Sequence, residues 1–129
     1  MKTLFFLLLF APISSLFAQE WIHFSTSKDG TKHYYKRHSE NVLFKKIWIK
    51  EEGTNLPMID NHLAVSTYSG YNLTLYNIDC RDRKIAIIQI NHFDNNDRLL
   101  STSEGNEFEL IYVVPGSTGD KIIEVACNN

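Results

Sequence analysis

The sequence predicts a mainly β domain with an α+β element order: a single antiparallel sheet of about six strands and a short C-terminal helix tethered by a disulfide. Short runs dense in β-branched and aromatic residues recur between turn signals rich in Gly, Asp and Asn. The period changes near the C-terminus, where Ile122, Ile123, Ala126 and Cys127 recur at i, i+1, i+4 and i+5, the stripe of an amphipathic helix. Two cysteines are present, Cys80 and Cys127, and in an exported chain an even count of two reads by default as one disulfide.

Residues 21–24 have strand composition, Lys28-Asp29-Gly30 is a turn signal, and residues 31–36 return as an aromatic-rich strand, giving an N-terminal hairpin. Residues 42–50 form the third strand. Val42, Phe44 and Trp48 lie on one pleat face and Leu43, Ile47 and Ile49 on the other, so this strand needs cover on both sides. Residues 71–80 and 85–93 are two long strands joined by a charged turn, Arg81-Asp82-Arg83-Lys84. Asp94-Asn95-Asn96-Asp97 closes another hairpin, and residues 108–114 are expected as the last strand. Between 51 and 70 the pattern breaks at Gly53, Asn55, Pro57, Asp60, Asn61 and Gly70. That stretch reads as a long functional or mobile segment with room for one helical turn near residues 61–64.

In the tail, Ser117 and Asp120 form a short capping signal ahead of a helix over 117–127, where the serine hydroxyl can accept from the Asp120 amide. A seventh edge strand is the alternative, because Ile122, Ile123 and Val125 also suit a strand. The helix is the natural cover for one face of the third strand.

The chain opens with one lysine, an apolar run from Leu4 to Phe10, and Leu16-Phe17-Ala18, the pattern of a secretory signal peptide cut after residue 18. About 111 of the 129 residues then remain as one domain over 19–129. With 13 basic against 15 acidic side chains the net charge is −2, which lacks the footprint of a duplex nucleic-acid binder. No second apolar run is long enough to span a bilayer. The expected address is a periplasm, an outer surface or the medium.

Trp21, the tyrosines Tyr34 and Tyr35 after Gly30, Ser39 and Val42 before a strand ending in Trp48, Ile78-Asp79-Cys80, Phe93-Asp94, and Pro115-Gly116-Ser117 ahead of Cys127 occur in this order. Together they resemble the surface-adhesin protein E family over essentially the whole mature chain. The resemblance implies an antiparallel sheet with a disulfide-held C-terminal helix, and an exported binding role toward matrix proteins. The family's ligand-binding segment has no motif that matches here residue by residue. No cysteine follows the apolar leader to carry a lipid.

Catalytic and metal chemistry find little support. Zinc favours ligands at fixed short spacings, whereas His33 and His38 are five apart and fall on opposite faces of one strand. Asp94 to Asp97 lacks the spaced ligands, glycine and closing glutamate of a calcium loop. Gly116-Ser117-Thr118-Gly119 lacks the spacing of a nucleophile elbow. No enzyme activity and no cofactor are expected. Asn72-Leu73-Thr74 matches a glycosylation acceptor.

The densest polar and aromatic tract runs from Lys32 to His38. On a strand, Lys32, Tyr34 and Lys36 share one face, while His33, Tyr35 and Arg37 share the other. Lys32, Tyr34, Lys36 and Arg37 are therefore the candidate binding residues, for an anionic glycan or a protein partner. A solvated edge strand, whose lysines discourage unwanted pairing, is the plainer alternative. The expected function is an exported, non-enzymatic binding module for a protein or glycan. The alternative is a structural or assembly protein of the cell envelope, homodimeric through an uncovered sheet face.

Overall fold

The computed structural model describes residues 20–40, 43–60 and 63–128. The expected signal peptide lies outside these residues. Strands β1 (Ile22–Thr26), β2 (Lys32–Glu40), β3 (Phe44–Asp60), β4 (Leu63–Asp79), β5 (Lys84–Asp94) and β6 (Leu99–Glu104) form one antiparallel sheet in chain order. A two-residue strand, β7 (Ile111–Tyr112), pairs with the start of β5. Helix α1 (Thr118–Cys127) follows.

Three of the hairpin turns are tied by an aspartate. In the β1–β2 turn Asp29 accepts from the Thr31 amide at 3.1 Å, and Gly30 takes a positive φ of 88°, a region glycine enters without steric cost. Between β4 and β5, Asp79 accepts from the Arg81 and Asp82 amides. Between β5 and β6, Asp94 Oδ1 accepts from the Asn96 and Arg98 amides, and its Oδ2 meets the Arg98 side chain at 2.9 Å. These bonds to the carboxylate, the Arg98 amide foremost, hold the Asp94 pKa below its usual value. Residues 94–97 thus serve as a turn in which both Asp94 oxygens are engaged.

The helix covers one face of the sheet. Ile122, Ile123 and Ala126 pack on Ile47, Ile49, Ile78 and Ile85, all buried, and each fully buried isoleucine contributes about 1.5–3 kcal/mol relative to exposure. Ser117 is the N-cap and its hydroxyl accepts from the Asp120 amide. Asp120 in turn accepts from the Gly116 amide at 2.9 Å and pairs with Arg83, which lowers its pKa, the Gly116 bond leading. The Cys80–Cys127 disulfide joins the end of β4 to the last helical residue. The edge-strand alternative for the tail does not occur.

Two expectations need correction. Residues 51–70 are not a loop: β3 and β4 are each 17 residues long and pair through most of this stretch. Leu63 and Ala64 lie in β4, so no helical turn is there, while residues 61 and 62 lie outside the described residues. Gly53, Pro57 and Gly70 occupy permitted places. Gly53 pairs with Gly70 at the bend, and Gly70, at φ 151°, leaves no room for a Cβ against the Phe93 carbonyl. Pro57, paired with Thr67 of β4, lies beyond the last β2–β3 pair, Lys32 with Glu52, where β2 no longer flanks β3 and an edge position admits proline.

Past this bend the hairpin becomes a two-stranded arm, with register shifts between Gly53 and Leu56 and between Met58 and Ile59 that increase its twist. A lone ribbon is marginal, and this one is docked. Leu56 is buried, the Ile59 amide donates to His92 Nε2 at 3.2 Å, and the Ser103 hydroxyl donates to the Ile59 carbonyl. Because Nε2 accepts, the neutral ring carries its proton on Nδ1 and donates to the Tyr68 oxygen at 2.8 Å.

Burial lowers the His92 pKa below its ordinary 6.5. The unfolded chain therefore takes up a proton that the folded chain refuses, and stability falls as pH drops below about 6.5 until the folded pKa is reached. Hydrogen exchange should show arm amides near Ile59 losing protection over this window, with the trend abolished in His92→Gln. Unchanged protection would contradict the docking role.

The second correction concerns residues 108–114. Only Ile111 and Tyr112 pair, with Ile85 and Lys84. β6 already occupies the same edge of β5 from Gln89 to Phe93. The chain must first cross that edge, and at Gly105 a Cβ would collide with the Ile87 carbonyl.

Candidate functional site

The face of the sheet opposite the helix carries the basic and aromatic residues. Strand register sets three rows there: Lys36, Trp48, Leu75 and Gln89; Tyr34, Lys50, Leu73 and Asn91; Lys32, Glu52, Tyr71 and Phe93. Lys32, Tyr34 and Lys36 therefore share this open face, as their spacing predicts.

The rows are knitted by ring contacts. Lys50 Nζ stands 4.7 Å from the Tyr71 ring centroid and 5.8 Å from that of Tyr34. Tyr71 stacks on Phe93 at 4.9 Å with an interplanar angle of 12°, and His23 meets Tyr34 edge-on at 5.4 Å. Lys36 lies over Trp21 at 5.9 Å, and His38 meets Trp48 edge-on at 6.2 Å. Trp21, Lys36, Arg37, His38, Trp48 and Leu73 line a shallow hollow of about 320 Å³. An ammonium resting on a ring is positioned by the quadrupole and keeps protons for an incoming anion. Lys50 and Lys46 are partly neutralised by Glu52 and Glu107, whereas Lys32 and Lys36 form no ion pair among the described residues.

Arg37 lines this hollow as a residue, but its guanidinium reaches the other face. Its guanidinium donates to the Val125 and Ala126 carbonyls at 3.2 and 3.5 Å, at the C-terminal end of α1, where a cation complements the helix dipole. Its position on the face opposite Lys32, Tyr34 and Lys36 follows from strand parity. Arg37→Ser should loosen the helix end and leave the open face unchanged.

A polar row on the helix side carries no motif and is invisible in the sequence. His33, Glu51, Asn72 and His92 are successive cross-strand partners on β2, β3, β4 and β5. His33, Asn72 and His92 are buried, so Asn72 is no glycosylation acceptor in the folded chain. Asn72 Nδ2 donates to Glu51 at 3.5 Å, and the Thr74 hydroxyl donates to Asn72 at 3.4 Å. Burial, with the Glu51 charge adding, pushes the Tyr68 phenol up to about 12 and raises Tyr76 further. Both stay neutral hydrogen-bonding groups. Only the register, set by tertiary pairing, brings these residues together.

No family model, curated protein or solved structure matches the chain. Among the described residues no three His, Cys, Asp or Glu side chains converge to hold a metal ion. No helix there is long and apolar enough to cross a membrane.

Proposed function

We propose that the chain is an exported, non-enzymatic binding module of the surface-adhesin protein E type, holding an acidic protein or glycan partner on its open sheet face. The observation that supports this most is the array of lysines set among aromatic rings, with no element of the described residues laid across it. Flat rings offer stacking area to sugar rings or apolar side chains, while Lys32 and Lys36 supply charge for carboxylates or sulfates. Such contacts are rim-like and screened by salt.

Immobilised matrix protein and a sulfated glycan are the probes. Lys32→Ser with Lys36→Ser should weaken binding about tenfold or more at low salt, with thermal stability unchanged. Arg37→Ser should lower thermal stability and keep the affinity. Absence of binding to both probes at low salt, or an equal loss with Arg37→Ser, would overturn the assignment.

An envelope assembly role has one observation in its favour. Phe108, Ile111, Tyr112 and Val114 are all more than 60 % exposed along one segment, an apolar strip of the kind that marks protein contacts. Light scattering separates the two: a concentration-dependent dimer lost in Phe108→Ser with Tyr112→Ser supports assembly, and a strict monomer counts against it.

A further inference from the structure

The face opposite the lysine array contains a second, chemically different concavity. Beside the N-terminal turn of α1, between the helix, the 105–114 segment and the sheet, lies a cleft of about 560 Å³, within the size range of small-molecule sites. Its walls are Ile87, Ile111, Val113 and Ile122, with Tyr76 and Glu51 reaching it from the sheet. Glu109 also lines it, and no Lys, Arg or His does.

Glu51 sets the chemistry. It is half-buried, and among the described residues the one hydrogen bond to its carboxylate is the long contact from Asn72 at 3.5 Å, with no ion pair. A carboxylate offers about four acceptor positions. A half-buried carboxylate with one long donor has unused capacity for a cation, and the Glu109 charge at the same cleft points the same way. The start of α1 does not reverse this sign. Ser117 caps the Asp120 amide and the Asp120 carboxylate takes the Gly116 amide, while the Arg83 that pairs with Asp120 is not among the residues lining the cleft.

We infer that this cleft is a binding site for a primary ammonium carried on an apolar body, with Glu51 receiving the ammonium and Ile87, Val113 and Ile122 enclosing the hydrocarbon. Tyr76, kept neutral by burial, provides a hydroxyl beside the cation. The same chemistry arises from a free apolar amine or from the N-terminus of an apolar peptide. The site is independent of the open face and of the function proposed for it.

The test is an NMR titration of the full mature chain with phenylbutylamine, phenylbutanol and phenylbutyrate. The amine should bind about tenfold more tightly than the alcohol, as expected for replacing a neutral hydrogen bond by a charge-assisted one, and phenylbutyrate most weakly. Shifts should centre on the Ile87, Val113 and Gly119 amides. Glu51→Gln should bring the amine down to the alcohol's affinity, while Glu52→Gln on the other face leaves it unchanged. Phe-Leu-Phe amide with a free N-terminus distinguishes the source: tighter binding than phenylbutylamine, lost on acetylation, points to a peptide, and weaker binding to a free amine. Equal affinity for amine and alcohol, shifts elsewhere, or an unaltered affinity in Glu51→Gln overturns the inference. The ligand series on the unaltered chain decides the matter even if Glu51→Gln fails to fold.

Discussion

Removal of the disulfide through Cys80→Ser with Cys127→Ser should lower folding stability by about 4 kcal/mol and Tm by roughly 15–25 °C. The two cysteines are 47 residues apart in sequence, and opening so long a loop returns much conformational freedom to the unfolded chain. For a domain of this size the loss is a large share of total stability. The structure also says where the loss appears first. Helix α1 has ten residues, too few to persist alone in water, and the bond sits on its last residue. Hydrogen exchange in the double variant, or in the reduced chain, should therefore show α1 amides losing protection before those of β3 and β4. A Tm shift under about 5 °C, or uniform loss across the sheet, would show that the disulfide is not what holds the helix.

Ile123→Ala should cost about 2–5 kcal/mol, measured by urea denaturation. Ile123 is 0 % exposed and lies in the cluster with Ile47, Ile49 and Ile78. Truncation removes three methyl or methylene groups from a site where sheet and helix meet, and the disulfide limits how far the helix can settle into the gap. Val114→Ala, 71 % exposed, is the matched control and should change stability by less than about 0.5 kcal/mol. Combined with the cysteine variants, Ile123→Ala should be less than additive, because both act through docking of the same helix. A cost for Ile123→Ala equal to that of Val114→Ala would contradict the observed packing.

Much of this architecture was legible because it depends on local chemistry. The turn signals at Asp29-Gly30 and at 94–97 work through carboxylates and backbone a few residues away. The stripe of Ile122, Ile123 and Ala126 follows from helical period alone, and the serine cap needs only a residue three positions on. Strand parity separated Lys32, Tyr34 and Lys36 from Arg37. It could not reveal that Arg37 meets the helix end, since that contact spans 88 and 89 positions in sequence.

The arm escaped the sequence for a related reason. Gly53, Pro57 and Gly70 signal interruption when viewed locally, yet a twisted ribbon beyond the edge of β2 tolerates all three. Residues 108–114 show the converse. They have strong strand composition, but a strand needs a free edge, and β6 already occupies most of that edge of β5.

The sequence by itself determined the class of fold, the turns, the helix and the two cysteines that join it to the sheet, because periodicity, capping and turn chemistry act over a few residues. Only the tertiary structure decided which faces stayed open. Pairing register aligned Lys32, Lys36, Lys50 and the rings on one side, and gathered His33, Glu51, Asn72 and His92 on the other. A one-residue shift in any strand would exchange its contribution between the two faces. The surfaces that can bind anything are thus set by long-range registration, which no local pattern encodes.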